Sequence, residues 1–204
     1  MTFFVWSQFA LVCLLGAMSP GPSLALIINN SIQYNRISGI IASIAHGLGI
    51  FIYATSTVII LEFILRNSET IYFIIQVFGS IFLMFLGLFF LFKKINDKEL
   101  GNNKINSNSF VQGFVIAIIN PKILVWFVAI YSQFINLNAN LSDKIILVLT
   151  PSLVDAIWYS VVAILVTGYG LKDFLNKNKL IIQRTIGIFL IIIALSVIYS
   201  LVNF

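Results

Sequence analysis

The first 61 residues of the chain carry a single formal charge, Arg36. Residues 1–35 and 37–61 contain no Asp, Glu, Lys or Arg. Soluble domains carry roughly a quarter charged residues. This chain is 9% charged and 60% apolar, with a mean hydropathy of +1.04. It cannot cover its own surface with polar groups, which excludes a soluble globular enzyme and leaves lipid as its solvent. A spanning helix needs about 20 apolar residues. Six such spans and their loops fit within 204 residues, with no room for a soluble domain.

The apolar pattern predicts spans near Phe4–Asn30, Gly39–Leu65, Thr70–Phe92, Phe110–Phe134, Ile145–Gly168 and Leu180–Leu201. The first is too long for a signal-peptide core and lacks a basic leader, so it reads as a membrane helix. Residues 95–109 form the one long polar stretch and are expected to be a cytoplasmic linker. Nine cations (Arg36, Lys93, Lys94, Lys98, Lys104, Lys172, Lys177, Lys179 and Arg184) fall in or beside loops 1–2, 3–4 and 5–6. Loops 2–3 and 4–5 carry two, Arg66 and Lys144. The excess of positive charge predicts those odd loops on the cytoplasmic side and both termini outside. The net charge of +5 therefore reads as topology, not as nucleic-acid binding.

The two halves resemble each other. MSPGPS and IIQVFGSIFL in the first half answer to IINPKI and IIQRTIGIFL in the second. Pro20 and Pro121 are 101 residues apart, and Gln76 and Gln183 are 107 apart. With three spans per half, the second half would enter the membrane upside down. The expected fold is an all-α membrane protein with six transmembrane helices in a 3+3 inverted repeat, helices 1 and 4 being broken. It forms one domain over 1–204, with half-repeats 1–94 and 110–204. In such transporters the binding site lies at the repeat interface near mid-membrane.

Proline locates the breaks. Pro20 and Pro22 lack N–H groups and clash with the carbonyls of Gly16 and Met18; Pro121 does the same to Ala117. Residues before proline, Ser19 and Gly21 among them, are steered away from helical dihedrals. Ser19, Pro20, Gly21 and Pro22 in span 1, and Asn120, Pro121 and Lys122 in span 4, are thus candidate substrate-binding residues. A proline kink that serves packing alone is the competing explanation. Lys122 falls near the centre of span 4, where a lone lysine costs on the order of 3 kcal/mol. It needs a wet cavity or a counter-ion, and Asp155 near the centre of span 5 is the candidate. Lys122 could meet a substrate carboxylate. Asp155 could meet an ammonium or carry the coupling proton, or the two could form a purely structural ion pair. His46 in span 2 is a second candidate for proton coupling.

Other features read as packing. Gly39, Ser43 and Gly47 give span 2 a small-residue face, as do Gly79 and Gly87 in span 3. Glu62 and Arg66 are spaced for an i,i+4 pair. Asn29 and Asn30 are expected to cap span 1 or line its cytoplasmic mouth. Trp6, Tyr72 and Tyr199 are expected to be interfacial anchors. One Cys (Cys13) and one His exclude an internal disulfide and a soft-metal cluster, so no metal or cofactor is expected. An intramembrane protease is disfavoured because Asp155 is the only deeply placed carboxylate.

SPGP at Ser19–Pro22 together with Asn120, Pro121 and Lys122 resembles the LysE/RhtB-type amino-acid exporters of bacterial inner membranes. Arg36 and Gly39, Gly79 and Gly87, Gln133 and Phe134, Asp155 and Trp158, and Arg184 and Gly187 extend the likeness over nearly the whole chain. Ser23, Asn35 and Gln76 depart from the residues usual in that family. The resemblance implies export of amino acids or related small metabolites, driven by proton antiport, from an inner-membrane protein that could form a homodimer. Small solutes, protons and lipids would be its partners. A passive channel or another small-solute or ion transporter is the alternative.

Overall fold

The computed structural model describes residues 1–92, 108–135, 139–168 and 171–202. Among them are eight helices and no strand: α1 (Phe3–Met18), α2 (Pro22–Gln33), α3 (Arg36–Asn67), α4 (Glu69–Phe92), α5 (Ser109–Ile119), α6 (Pro121–Phe134), α7 (Leu141–Gly168) and α8 (Leu171–Val202). Apart from Asn108 and Ser109, the expected linker 95–109 lies outside the described residues, as do Lys93 and Lys94. The helix starts carry ordinary capping chemistry. Asn35 accepts from the Ser38 N–H at 2.9 Å, and Asn108 accepts from the Phe110 N–H at 3.1 Å. Such side chains satisfy the donors a first helical turn leaves over.

Four helices are long and apolar enough to cross a membrane: α3, α4, α7 and the Leu180–Tyr199 part of α8. A fifth candidate is broken, α1 and α2 meeting at 61°. With 11 and 14 residues, α5 and α6 are each shorter than a bilayer requires. The prolines act as expected at both interruptions. Pro22 and Pro121 occupy the first turns of α2 and α6, where a missing N–H costs nothing. Gly21 and Asn120 are the respective N-cap residues. By position in the helix, then, the counterpart of Pro121 is Pro22 and not Pro20, an offset of 99 residues.

Large apolar side chains cover the exterior, and polar side chains are set into an otherwise apolar core. Ile59, Phe63, Phe78, Phe85 and Ile157 are exposed, whereas Ser23, Asn30, Ser43, His46, Asn120 and Asp155 are buried. Small residues let the inner helices touch. A Cβ added to Gly39 or Gly47 of α3 would crowd Ala163 or Ala156 of α7. On α4, Gly79 lies against Ala129 of α6, and Gly87 lies against Gly187 of α8. Several packing partners repeat when the two halves are exchanged: α3 meets α7, α4 meets α8, and α3 with α5 mirrors α7 with α1, whereas the packing of α2 on α3 and of α4 on α6 has no comparable mirror.

Two expectations need correction and a third, the Glu62–Arg66 pair, is met and extended. Tyr72 is buried, not interfacial, and its hydroxyl lies 2.7 and 3.1 Å from the carbonyls of Ser132 and Ile135 at the end of α6. Asn30 does not end its helix; its amide donates to Gln112 Oε1 of α5 at 2.8 Å and its oxygen accepts from Ser109 at 2.8 Å. Glu62 pairs with Arg66 at 2.9 Å but also takes Lys144 Nζ at 2.7 Å, tying α3 to α7.

Among the glycines, Gly113 lies closest to the backbone of another helix. A Cβ there would lie 2.1 Å from the Ala42 carbonyl oxygen, on rigid backbone, whereas at Gly21 it would lie 3.4 Å from the flexible Lys122 Nζ. Gly113→Ala is therefore expected to destabilise the protein by about 3 kcal/mol or more and Gly21→Ala far less. Thermal unfolding of the two variants in detergent checks the order.

Candidate functional site

A cavity sits where the two interruptions meet α3 and α7. Ser19, Gly21, Pro22, Asn120, Lys122, Asp155 and His46 all line it. Pro20 shapes the first break without lining the cavity, and Pro121 is placed by its backbone at the start of α6. The sequence separates these residues by more than 130 positions; the fold gathers them at one level.

Each interruption leaves backbone groups that hydrocarbon cannot satisfy. The carbonyl of Gly16, freed by Pro20, accepts from Ser19 Oγ at 2.7 Å. The carbonyl of Ile118, at the end of α5, accepts from the Tyr53 hydroxyl at 2.7 Å. At the start of α6, Asn120 Oδ1 accepts from the Lys122 N–H at 3.1 Å. The helix N-termini of α2 and α6 both border the cavity, and their partial positive charge favours an anion there.

A linear network crosses the cavity wall. His46 Nδ1 lies 2.6 Å from Asp155 Oδ2, His46 Nε2 lies 2.9 Å from Ser23 Oγ, and Asn120 Nδ2 donates to Ser23 Oγ at 3.2 Å. All four side chains are buried. An edge-on ring contact with Tyr159, at 5.1 Å between centroids, holds the imidazole in place. The side-chain partner of Asp155 is thus His46, which the sequence pattern does not assign to it. With neutral His46, Nδ1–H donates to Asp155 and Nε2 accepts the Ser23 proton. With charged His46, Nε2–H donates to Ser23, whose hydroxyl rotates, since it is both donor and acceptor.

Lys122 Nζ donates to Ser19 Oγ and lies over the Phe90 ring, 5.6 Å from its centroid. Lys122 and Asp155 thus face one cavity from separate anchors. The sequence pattern does not single out Tyr131 or Pro151. Pro151 lies inside α7 and removes the bond to the Leu147 carbonyl, yet the helix is continuous. Tyr131 of α6 supplies the missing donor: its hydroxyl meets the Leu147 oxygen at 2.7 Å. A proline four residues after an unpartnered carbonyl was the available signal; the tyrosine that answers it is 16 residues back and on another helix. Among the described residues, no group of three or more His, Cys, Asp or Glu could hold a metal ion.

The LysE type translocator family profile matches residues 14–201. The chain belongs to the LysE type translocator family. It is a membrane transporter, not an enzyme, although carboxylate, imidazole and hydroxyl stand in the order of a hydrolase triad. It is 24% identical to the uncharacterized membrane protein YrhP of Bacillus subtilis (strain 168), over 84% of this chain and 88% of that protein. The threonine efflux protein of Salmonella typhi is 22% identical over 76% of this chain and 78% of its own length. The threonine efflux protein of Escherichia coli (strain K12) is 21% identical with the same coverage. No solved structure matches the translocator.

The Tyr131–Leu147 bond gives a test of the fold around the cavity. Tyr131→Phe leaves a buried carbonyl unmet and is expected to cost about 1–3 kcal/mol. Pro151→Ala restores the N–H of residue 151 to that carbonyl, so the same tyrosine change should cost distinctly less when it is combined with Pro151→Ala. A double-mutant cycle on thermal stability measures the coupling.

Proposed function

We propose that the translocator is a secondary exporter of amino acids or related small metabolites across the bacterial inner membrane, coupled to proton entry. The observation that carries this reading is the single cavity in which two helix interruptions, one lysine and one carboxylate–histidine pair meet. A zwitterion needs opposite charges in one site, and Lys122 and Asp155 line the same cavity. Lys122, Ser19 and the N-termini of α2 and α6 receive the carboxylate. Asp155 receives the ammonium. The threonine efflux relatives support a substrate of this chemical class.

Coupling follows from competition for one carboxylate. Asp155 serves either the His46 proton or the substrate ammonium. Arrival of a proton from outside strengthens the Asp155–His46 pair and expels the amine; loss of that proton toward the cytoplasm frees Asp155 for the next substrate. A site that exchanges one positive charge for another is an antiporter.

The architecture proposed for this cycle is six spans in a 3+3 inverted repeat, α1 with α2 and α5 with α6 each acting as one broken span. Half-repeats 1–94 and 110–204 make one domain, with linker 95–109 in the cytoplasm and both termini outside. The matched positions of Pro22 and Pro121, and the several packing partners that repeat on exchange of the halves, support this arrangement. Alternating access would rock one half against the other around a fixed site.

Efflux from proteoliposomes tests the reading. Asp155→Asn and Lys122→Ala are each expected to slow efflux at least about tenfold, the cost of one charge-assisted hydrogen bond. His46→Gln is expected to keep substrate binding but flatten the dependence of efflux on external pH. Full transport by both charge variants would remove the mechanism, and wild-type efflux indifferent to an uncoupler would make the protein a passive channel.

A further inference from the structure

The cavity that accepts the zwitterion has a second half. Its polar groups lie at the level of the interruptions: Ser19, Ser23, Asn120 and Lys122, with His46 and Asp155 beside them. From Lys122 the lining continues along α6 through Ile123 and Phe127 to Ile130, eight residues on, or roughly 12 Å of helix. On α3 the residue one turn beyond His46 is Ile50, and on α1 the wall is Ala17 and Cys13. Trp126 closes this half by lying on bare Gly16, where a Cβ would be 2.8 Å from the indole. The hydroxyl of Tyr131, which also lines it, is committed to Leu147.

Resting on the exporter reading, we infer that this protein selects amino acids with large, uncharged, apolar side chains. The head group is held at the interruptions and the side chain extends into the apolar half. Two physical costs exclude the alternatives. A threonine hydroxyl placed between Ile50, Ile123 and Ile130 loses its water and meets no free partner, whereas isosteric valine does not. A lysine or arginine side chain would need a second carboxylate. Among the described residues Asp155 is the only acidic one lining the cavity, the α-ammonium of the substrate takes it in the exporter reading, and Lys122 repels a further cation. Among apolar side chains each additional buried methylene gains about fourfold in affinity. The selectivity therefore differs from the one named in the threonine efflux relatives.

The experiment uses proteoliposomes of the full chain loaded with equal concentrations of valine, threonine, leucine and lysine under an imposed proton gradient. Efflux of each is read from the same vesicles, so the ratios do not depend on protein yield. Leucine is expected to leave fastest, valine about tenfold faster than threonine, and lysine no faster than from empty vesicles. Ile50→Ser and Ile130→Ser each place a hydroxyl in the apolar half and are expected to move the valine-to-threonine ratio toward threonine. Threonine leaving as fast as valine, lysine leaving at all above background, or ratios unmoved in both variants would overturn the selectivity while the exporter reading stands. Export of none of the four would sink the exporter reading and this inference together.

Discussion

Backbone groups that lose their helical partner inside hydrocarbon have no water to fall back on, and this one constraint organises the molecule. Prolines break or threaten α1–α2, α5–α6 and α7, and a side-chain hydroxyl stands at an exposed carbonyl in each place. Ser19 serves Gly16, Tyr53 serves Ile118 and Tyr131 serves Leu147. Tyr72 does the same at the far end of α6. The interruptions are therefore built features of a rigid scaffold. A broken helix whose loose ends were left unmet would cost several kcal/mol per group and would not persist.

Given stable interruptions, charge can be placed at their level. The ends of α2 and α6 point positive dipoles at the cavity, and Lys122 adds a full charge beside them. A lone aspartate in the same region would be expensive. The His46 ring stands against Asp155 at 2.6 Å, and Ser23 meets the other side of the ring at 2.9 Å. Apolar side chains fill the adjoining turns of α3 and α6. The result is one compartment with an ionic floor and a greasy wall.

Much of this was legible in the sequence where the physics is local. Pro22, Pro121 and their caps announce helix starts, and the apolar runs announce α3, α4, α7 and the Leu180–Tyr199 part of α8 within a few residues. The small faces at Gly39 to Gly47 and at Gly87 follow from spacing alone. What the sequence hid were the long-range pairings. His46 and Asp155 are 109 residues apart, and nothing local ties them together. Asn30 reads as a terminal polar residue because its partners Ser109 and Gln112 are in the other half. Tyr72 reads as an anchor because aromatic residues near a span end usually are; the open carbonyls of α6 draw it inward. Pro20 aligns with Pro121 by motif, but helix position favours Pro22, since only the proline inside the first turn marks the restart.

The donor from Tyr131 has a mechanical corollary. The continuity of α7 at Pro151 is on loan from α6, through one hydroxyl. Asp155 stands a single turn further along. If α6 slides or rotates away, the ladder of α7 opens just below that carboxylate, and the displacement is felt as a change in its tilt. Motion of one interrupted rod is in this way geared to the aim of the acid on its neighbour, without any shared ligand.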